Sequence, residues 1–169
     1  MGIVRVEIEA DYPTIRRIHQ LAFGRDQEAD IVEDMRHRAG AMLSLVAIRR
    51  GELVGHAFFS RVIIECASGF DRGVGLAPIA VLPEHQRTGL GTDLVRHAIA
   101  ALKNRRQGIM VVVGEPAFYQ RFGFKPARTF GLRCSYEAPA DSFMALPLDP
   151  GWCGAGGLVR YAPAFDGAE

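Results

Sequence analysis

Leu76-Ala-Pro-Ile-Ala-Val-Leu-Pro-Glu-His-Gln-Arg-Thr-Gly-Leu-Gly-Thr92 decides how this chain is read. Val74 to Leu82 is an apolar run with the length of a strand, and Pro83 begins a turn after it. A loop bracketed by Gly89 and Gly91 then opens directly into a helix marked by Leu90, Leu94, Ala98 and Leu102. The first amides of a helix have no partner within it and carry its partial positive charge, so such a junction is a ready anion site.

Two common phosphate loops do not fit. A Walker loop needs Lys-Ser/Thr after its second glycine, and none is present. In a dinucleotide fingerprint the third glycine would fall at Leu94. By itself a G-x-G turn is weak evidence, but its surroundings strengthen it. Ile109-Met-Val-Val-Val113 is a continuous apolar run, the mark of a strand buried on both faces. Residues 74–113 thus form a β-α-β unit, with the second strand parallel to the first. Gly114-Glu-Pro-Ala-Phe-Tyr-Gln-Arg-Phe-Gly-Phe124 follows as a turn, a short helix and a stop at Gly123.

Upstream, Ile3 to Ile8 alternates apolar and polar residues and reads as a strand. Asp11 is placed to cap a helix over 12–23, which Gly24 ends. A second helix spans about 27–39 and stops at Gly40. Residues 42–48 and 53–65 form a hairpin across Arg49-Arg50-Gly51-Glu52, and 68–73 reads as the next loop. Gly55 points to a bulge or a close backbone approach, and Pro78 to a bulge or an open edge. Short strands are expected near 131–136, 142–148 and 157–162.

The bulk properties bound the function. At 169 residues the chain reads as a single domain over 1–169, with a core at about 3–148 and an extension at 149–169. A net charge of +1 gives no reason to expect nucleic acid or an anionic membrane surface as a partner. No apolar run approaches the roughly 20 residues needed to cross a bilayer. The N-terminal Met1-Gly-Ile-Val-Arg-Val has neither a signal-peptide nor a myristoylation layout. Cys66, Cys134 and Cys153 are widely spaced, form no CxxC pair and suit free thiols in a reducing cytosol. Neither they nor the histidines have zinc-site spacing, so no metal is expected.

In sequence the chain resembles the GNAT superfamily of acetyl-CoA-dependent N-acetyltransferases, and within it the YhbS-like branch. Gln86, Gly89 and Gly91 match the family's Q/R-x-x-G-x-G/A signature after a central strand. Tyr119 matches its tyrosine four residues before a Gly-Phe pair, here Gly123-Phe124. The resemblance implies an α/β (α+β) fold: a mixed, central, splayed β-sheet flanked by helices on both faces. It implies acetyl-CoA as co-substrate and transfer of the acetyl group to an amine. The pyrophosphate would lie over Gln86, Arg87, Thr88, Gly89, Leu90, Gly91 and Thr92, and the pantetheine arm along the backbone of Ile79, Ala80 and Val81.

A Lys-like amine, with a pKa of about 10.4, must lose a proton before it attacks the thioester. Tyr119 matches the tyrosine that assists departure of the thiolate. An ordinary phenol would lose about 2 kcal/mol by giving its proton fully to a thiolate, so stabilisation by hydrogen bonding is the expected role. Many relatives carry a glutamate on the central strand, yet residues 74–82 hold no carboxylate. Glu115, at a strand end, is then the candidate base, beside Glu84, His85, His56 or a water chain. His19, His37 and His97 lie on helices without a visible partner. Without a base in the strand, an acyl-CoA-binding sensor of the same fold stays open as the alternative. A homodimer is compatible with the sequence, and no motif identifies the acceptor.

Overall fold

The computed structural model describes residues 2–166. Its elements run β1 (Ile3–Val6), α1 (Tyr12–Phe23), α2 (Gln27–Arg36), β2 (Ala41–Arg49), β3 (Glu52–Cys66) and β4 (Gly69–Val81). There follow α3 (Leu90–Asn104), β5 (Ile109–Val113), α4 (Pro116–Tyr119), β6 (Lys125–Pro126), β7 (Leu132–Cys134), β8 (Phe143–Pro147) and β9 (Gly157–Arg160). The strands make one mixed sheet in the order β1-β2-β3-β4-β5-β8-β6, with β9 paired to β3 and β7. β4 and β5 pair in parallel, as a strand-helix-strand crossover requires.

Helices cover both faces. The apolar stripe of α3 (Leu90, Leu94, Val95, Ala98, Leu102) packs on Leu45, Ala47, Ala57, Leu76 and Val112. On the opposite face Ile15, Ile31, Val32 and Met35 of α1 and α2 pack on Val46 and Phe58. Alternate residues of β2, Leu45 and Ala47 against Val46, feed opposite cores, the period-2 logic of a sheet buried on both sides. This is the architecture that the resemblance implies.

Four boundaries differ from the sequence reading. Residues 69–73 are strand rather than loop: Gly69 pairs with Cys66, Asp71 with Ile64 and Gly73 with Val62, so the turn shrinks to Ala67-Ser68. Their polar, glycine-rich composition signals a loop, but the ladder offered by a 15-residue β3 overrides it. β1 ends at Val6 because the Asp11 carboxylate captures the Ile8 amide (2.8 Å) and the Arg5 guanidinium (2.6 Å). Asp11 therefore makes no side-chain cap on α1. The second helix stops at Arg36, where Arg38 N–H turns back to the Met35 carbonyl (3.0 Å). The expected last strand ends at Arg160 rather than at 162; as β9 it lies alongside β3, beyond the end of β2, and Phe165 after it is buried against the α1–α2 face. Residues 167–169 of the expected extension lie outside the described residues.

The feature that makes the site is where pairing stops. β4 and β5 are joined at Val74–Met110, Gly75–Val111 and Leu76–Val112. Beyond Leu76, β4 continues along β3, through a bulge, to Val81. The bulge sets one extra β4 residue at Ala77-Pro78, where the peptide bond is cis. β4 and β5 are no longer paired beyond that point, which leaves the edge of β4 at 77–81 facing a cleft. Proline, which has no N–H for a ladder, falls at this departure point. A bulge in β3 between Ala47/Gly55 and Ile48/Leu53 leaves Val54 unpaired, and a Cβ on the adjoining Gly55 would crowd Ala47 and the Ala80 carbonyl, each at 3.3 Å.

Candidate functional site

Between the unpaired ends of β4 and β5 lies a cleft of about 810 Å³. One wall is Leu76 to Val81, and the other is Val112 to Glu115 with Phe118 and Tyr119. At one mouth stand His85, Gln86, Arg87 and the start of α3 from Gly89 to Thr92; at the other stand Phe23 and Glu28. Because α3 lies on one face of the sheet and the α1–α2 pair on the other, the cleft is a slot through the fork.

The loop before α3 is held open by its own hydrogen bonds. Gln86 Nε2 donates to the Val81 carbonyl (3.0 Å) and Thr88 Oγ1 donates to the His85 carbonyl (2.6 Å). Arg87 (φ 59°) and Gly89 (φ 93°) are both left-handed, and at Gly89 a side chain would be strained. The first amide to close a helical turn is that of Asp93, onto the Gly89 carbonyl (3.0 Å). The amides of Leu90, Gly91 and Thr92 therefore start the helix without intrahelical acceptors. A Cβ on Gly91 would come into van der Waals contact with Phe118 at 3.5 Å, which places the start of α3 against α4 at this mouth. Arg121 crosses the same gap: it donates to Thr92 Oγ1 (3.2 Å) and lies over the Phe118 ring at 4.8 Å.

Tyr119 is 5% exposed, packed edge-on to Phe118 (4.9 Å between centroids) and against Phe124 (5.5 Å). Gly114 is what admits it, since a Cβ there would overlap the tyrosine ring. Burial pushes the phenol up to about 12. Tyr119 is thus a proton-bearing donor throughout the neutral range. Full proton transfer from it to a thiolate would now be uphill by about 5 kcal/mol.

Of the residues expected at the site, Ile79, Ala80, Val81, Gln86, Arg87, Gly89, Leu90, Gly91, Thr92, Glu115 and Tyr119 line this cleft. Thr88 does not line it, and its hydroxyl serves the loop's own backbone. Gln86 spends its side-chain amide on Val81, so its role is to tie the loop to β4. Glu115 is exposed at the rim, where its carbonyl accepts the Phe118 amide (3.1 Å) at the start of α4. His85 lines the cleft, whereas Glu84 does not. His56 is fully buried outside it, bonded to Ser44 Oγ and His19 Nε2, each at 2.8 Å. The partner of His19 is a strand residue 37 positions away, beyond the reach of any local pattern. Phe23, Glu28, Gly114 and Arg121 are site residues that no spacing rule finds. The kink at left-handed Gly24 and the adjacent strand-end glycine were the available signals.

Among the described residues no cluster of three or more His, Cys, Asp or Glu could hold a metal ion. Nor is any described helix long and apolar enough to cross a membrane.

Comparison with known proteins agrees with this geometry. The family described as acetyltransferase (GNAT) domain matches residues 4–127. An Escherichia coli K12 protein named uncharacterized N-acetyltransferase YhbS is 35% identical over 97% of this chain and 98% of its own length. A second K12 protein, named uncharacterized N-acetyltransferase YjhQ, is 34% identical over 79% of this chain and 75% of its length. The crystal structure of E. coli YhbS in complex with CoA superposes with a TM-score of 0.90 at 32% identity, covering 98% of this chain and 92% of that one. A GNAT family acetyltransferase from Brucella melitensis in complex with acetyl-CoA gives a TM-score of 0.81 at 31% identity, covering 98% and 99%. By its sequence and by a fold whose parallel pair parts at Leu76, this chain belongs to the GNAT acetyltransferase family.

Proposed function

We propose that the protein moves the acetyl group of acetyl-CoA to a primary amine. The observation that carries this reading is the slot itself. It joins a helix start able to bind a pyrophosphate, an unpaired strand edge able to pair with an amide-bearing arm, and a buried phenol beside the fork. Relatives that superpose over nearly the whole chain hold CoA or acetyl-CoA.

In this reading the diphosphate sits on the amides of Leu90, Gly91 and Thr92, with Arg87 and Arg121 supplying charge at the same mouth. The pantetheine amides pair with backbone groups of Ile79, Ala80 and Val81. The amine's lone pair forms the new C–N bond at the thioester carbon, and the C–S bond breaks. Its electron pair stays on sulfur, where a hydrogen bond from Tyr119 Oη stabilises it. The proton released by the amine passes to Glu115 at the rim, directly or through water.

Two measurements test this. Calorimetry should show binding of CoA and acetyl-CoA but not of ATP; absence of CoA binding would overturn the assignment. Thiol release from acetyl-CoA over a panel of primary amines should then rise above the rate without amine. Tight CoA binding with no release for any amine would make the protein an acyl-CoA sensor instead.

A further inference from the structure

The two mouths of the slot carry different groups. At the α3 mouth stand Arg87 and Arg121, while the ion-paired carboxylate of Glu28 stands at the other. Glu28 has only 8% of its surface exposed, which is unusual for a carboxylate, and the mechanism above makes no use of it. It lies in the first turn of α2, just past the α1–α2 corner, and shares the opening with Phe23, an aromatic ring 41% exposed. Its cation is Arg25, three residues earlier, with Nη2 at 2.5 Å and Nε at 3.0 Å from Oε1. The Arg25 side chain is 49% exposed, so the pair has one member in the protein and the other at the surface.

A carboxylate buried at an apolar opening requires a cation at its oxygens, the place that Arg25 fills here from the surface. We infer that Glu28 reads the acceptor as a positively charged amine: a primary ammonium on an apolar chain, its head group on Glu28 and its chain against Phe23. This rests on the acetyl-transfer reading for its chemistry but makes a separate claim about binding. Arg25 occupies the carboxylate until an ammonium competes for it. Anionic and neutral amines gain nothing at this mouth. The acceptor enters protonated from the α1–α2 side and is held at Glu28; it gives one proton to solvent water before its lone pair attacks, and the second leaves to Glu115 as the amide forms.

n-Hexylamine, which is an ammonium at pH 7, n-hexanol and hexanoate are titrated calorimetrically into the protein, with and without saturating CoA. Hexylammonium should bind about tenfold or more tightly than hexanol, with hexanoate weakest. Glu28→Gln should erase the difference. Arg25→Gln should tighten hexylammonium by removing its competitor, an opposite change that loss of folding cannot mimic. Phe23→Ala should weaken hexylammonium and hexanol alike. Equal affinity for hexylammonium and hexanol in the native protein, or hexylammonium binding unchanged in Glu28→Gln, overturns the inference. Failure to bind CoA would instead overturn the acetyl-transfer reading and leave these titrations to be judged on their own.

Discussion

His19 Nε2 lies 2.8 Å from His56 Nδ1, and both rings are fully buried between α1 and the sheet. The chain of contacts continues through His56 Nε2 to Ser44 Oγ (2.8 Å) and Glu7 Oε2 (3.3 Å), and from Glu7 to Arg36 (2.9 Å). Burial would raise the Glu7 carboxyl, but hydrogen bonds from His56, Arg36 and Ser44 outweigh it and hold it at about 2. An ionised Glu7 only accepts, so His56 carries its proton on Nε2, and His19 donates from its own Nε2. That leaves the buried His19 Nδ1 as a bare lone pair, in agreement with its lack of a hydrogen-bond partner.

Stability should therefore fall in acid, in two stages. Burial lowers both histidines, His19 to about 3. A histidine that is neutral when folded stabilises above the unfolded value of 6.5, and that stability drains as pH falls toward the folded value. Each should contribute a slope of about 1.4 kcal/mol per pH unit. Below 4.5 Glu7 adds its own loss, continuing down to about 2. Urea unfolding at pH 7.5, 6 and 5 checks this. His19→Leu should be less stable at neutral pH by about 1–3 kcal/mol, since His56 Nδ1 loses its donor, yet should show a shallower slope. A native protein equally stable at pH 7.5 and pH 5 would refute this protonation scheme.

Tyr119→Phe keeps the ring and removes the donor. Turnover with the best amine should drop by about 10²–10³, with affinity for CoA little changed. With its phenol held up at about 12 by burial, Tyr119 should impose no alkaline limb on the rate between pH 7 and 10. A fall in rate near pH 10 that disappears in the phenylalanine variant would show an ordinary, solvated phenol.

Gly114→Ala places a methyl group where the Tyr119 ring lies. The ring must move out of the slot, or the end of β5 must shift, at a stability cost of about 1–3 kcal/mol. Turnover should fall at least as far as in Tyr119→Phe. Normal turnover in a stable Gly114→Ala protein would show that the position of the ring does not matter.

Gly89→Ala strains the left-handed turn at φ 93° by about 1–2 kcal/mol. Its effect should appear as a several-fold to roughly tenfold loss of CoA affinity, since this turn sets the first amides of α3. Calorimetry with CoA measures it directly, and unchanged affinity would remove the loop from the proposed binding site.

Local signals carried the core of the fold: the alternation in β1, the four-residue spacing of α3 and the apolar run of β5 each dictate their element. The G-x-G turn and Tyr119 were legible for the same reason, being tied to an adjacent strand or helix end. What was hidden depends on partners distant in sequence. Residues 69–73 look like a loop until β3 offers a ladder, and Asp11 looks like a helix cap until Arg5 and the Ile8 amide claim it. In sequence His19 has no visible partner because His56 comes from another element. Glu28 looks like part of a solvated helix face until the α1–α2 corner turns it toward the slot.

The parting of β4 and β5 at Leu76 also bears on order and traffic. In the proposed reaction donor and acceptor would use separate doors, one on each face of the sheet, and only the two-carbon acetyl group would change sides. Neither product would then block the exit of the other. No cysteine lines the passage among the described residues, so a covalent stopover on a thiol has no place there. Kinetics should follow a ternary complex, with intersecting rather than parallel double-reciprocal lines.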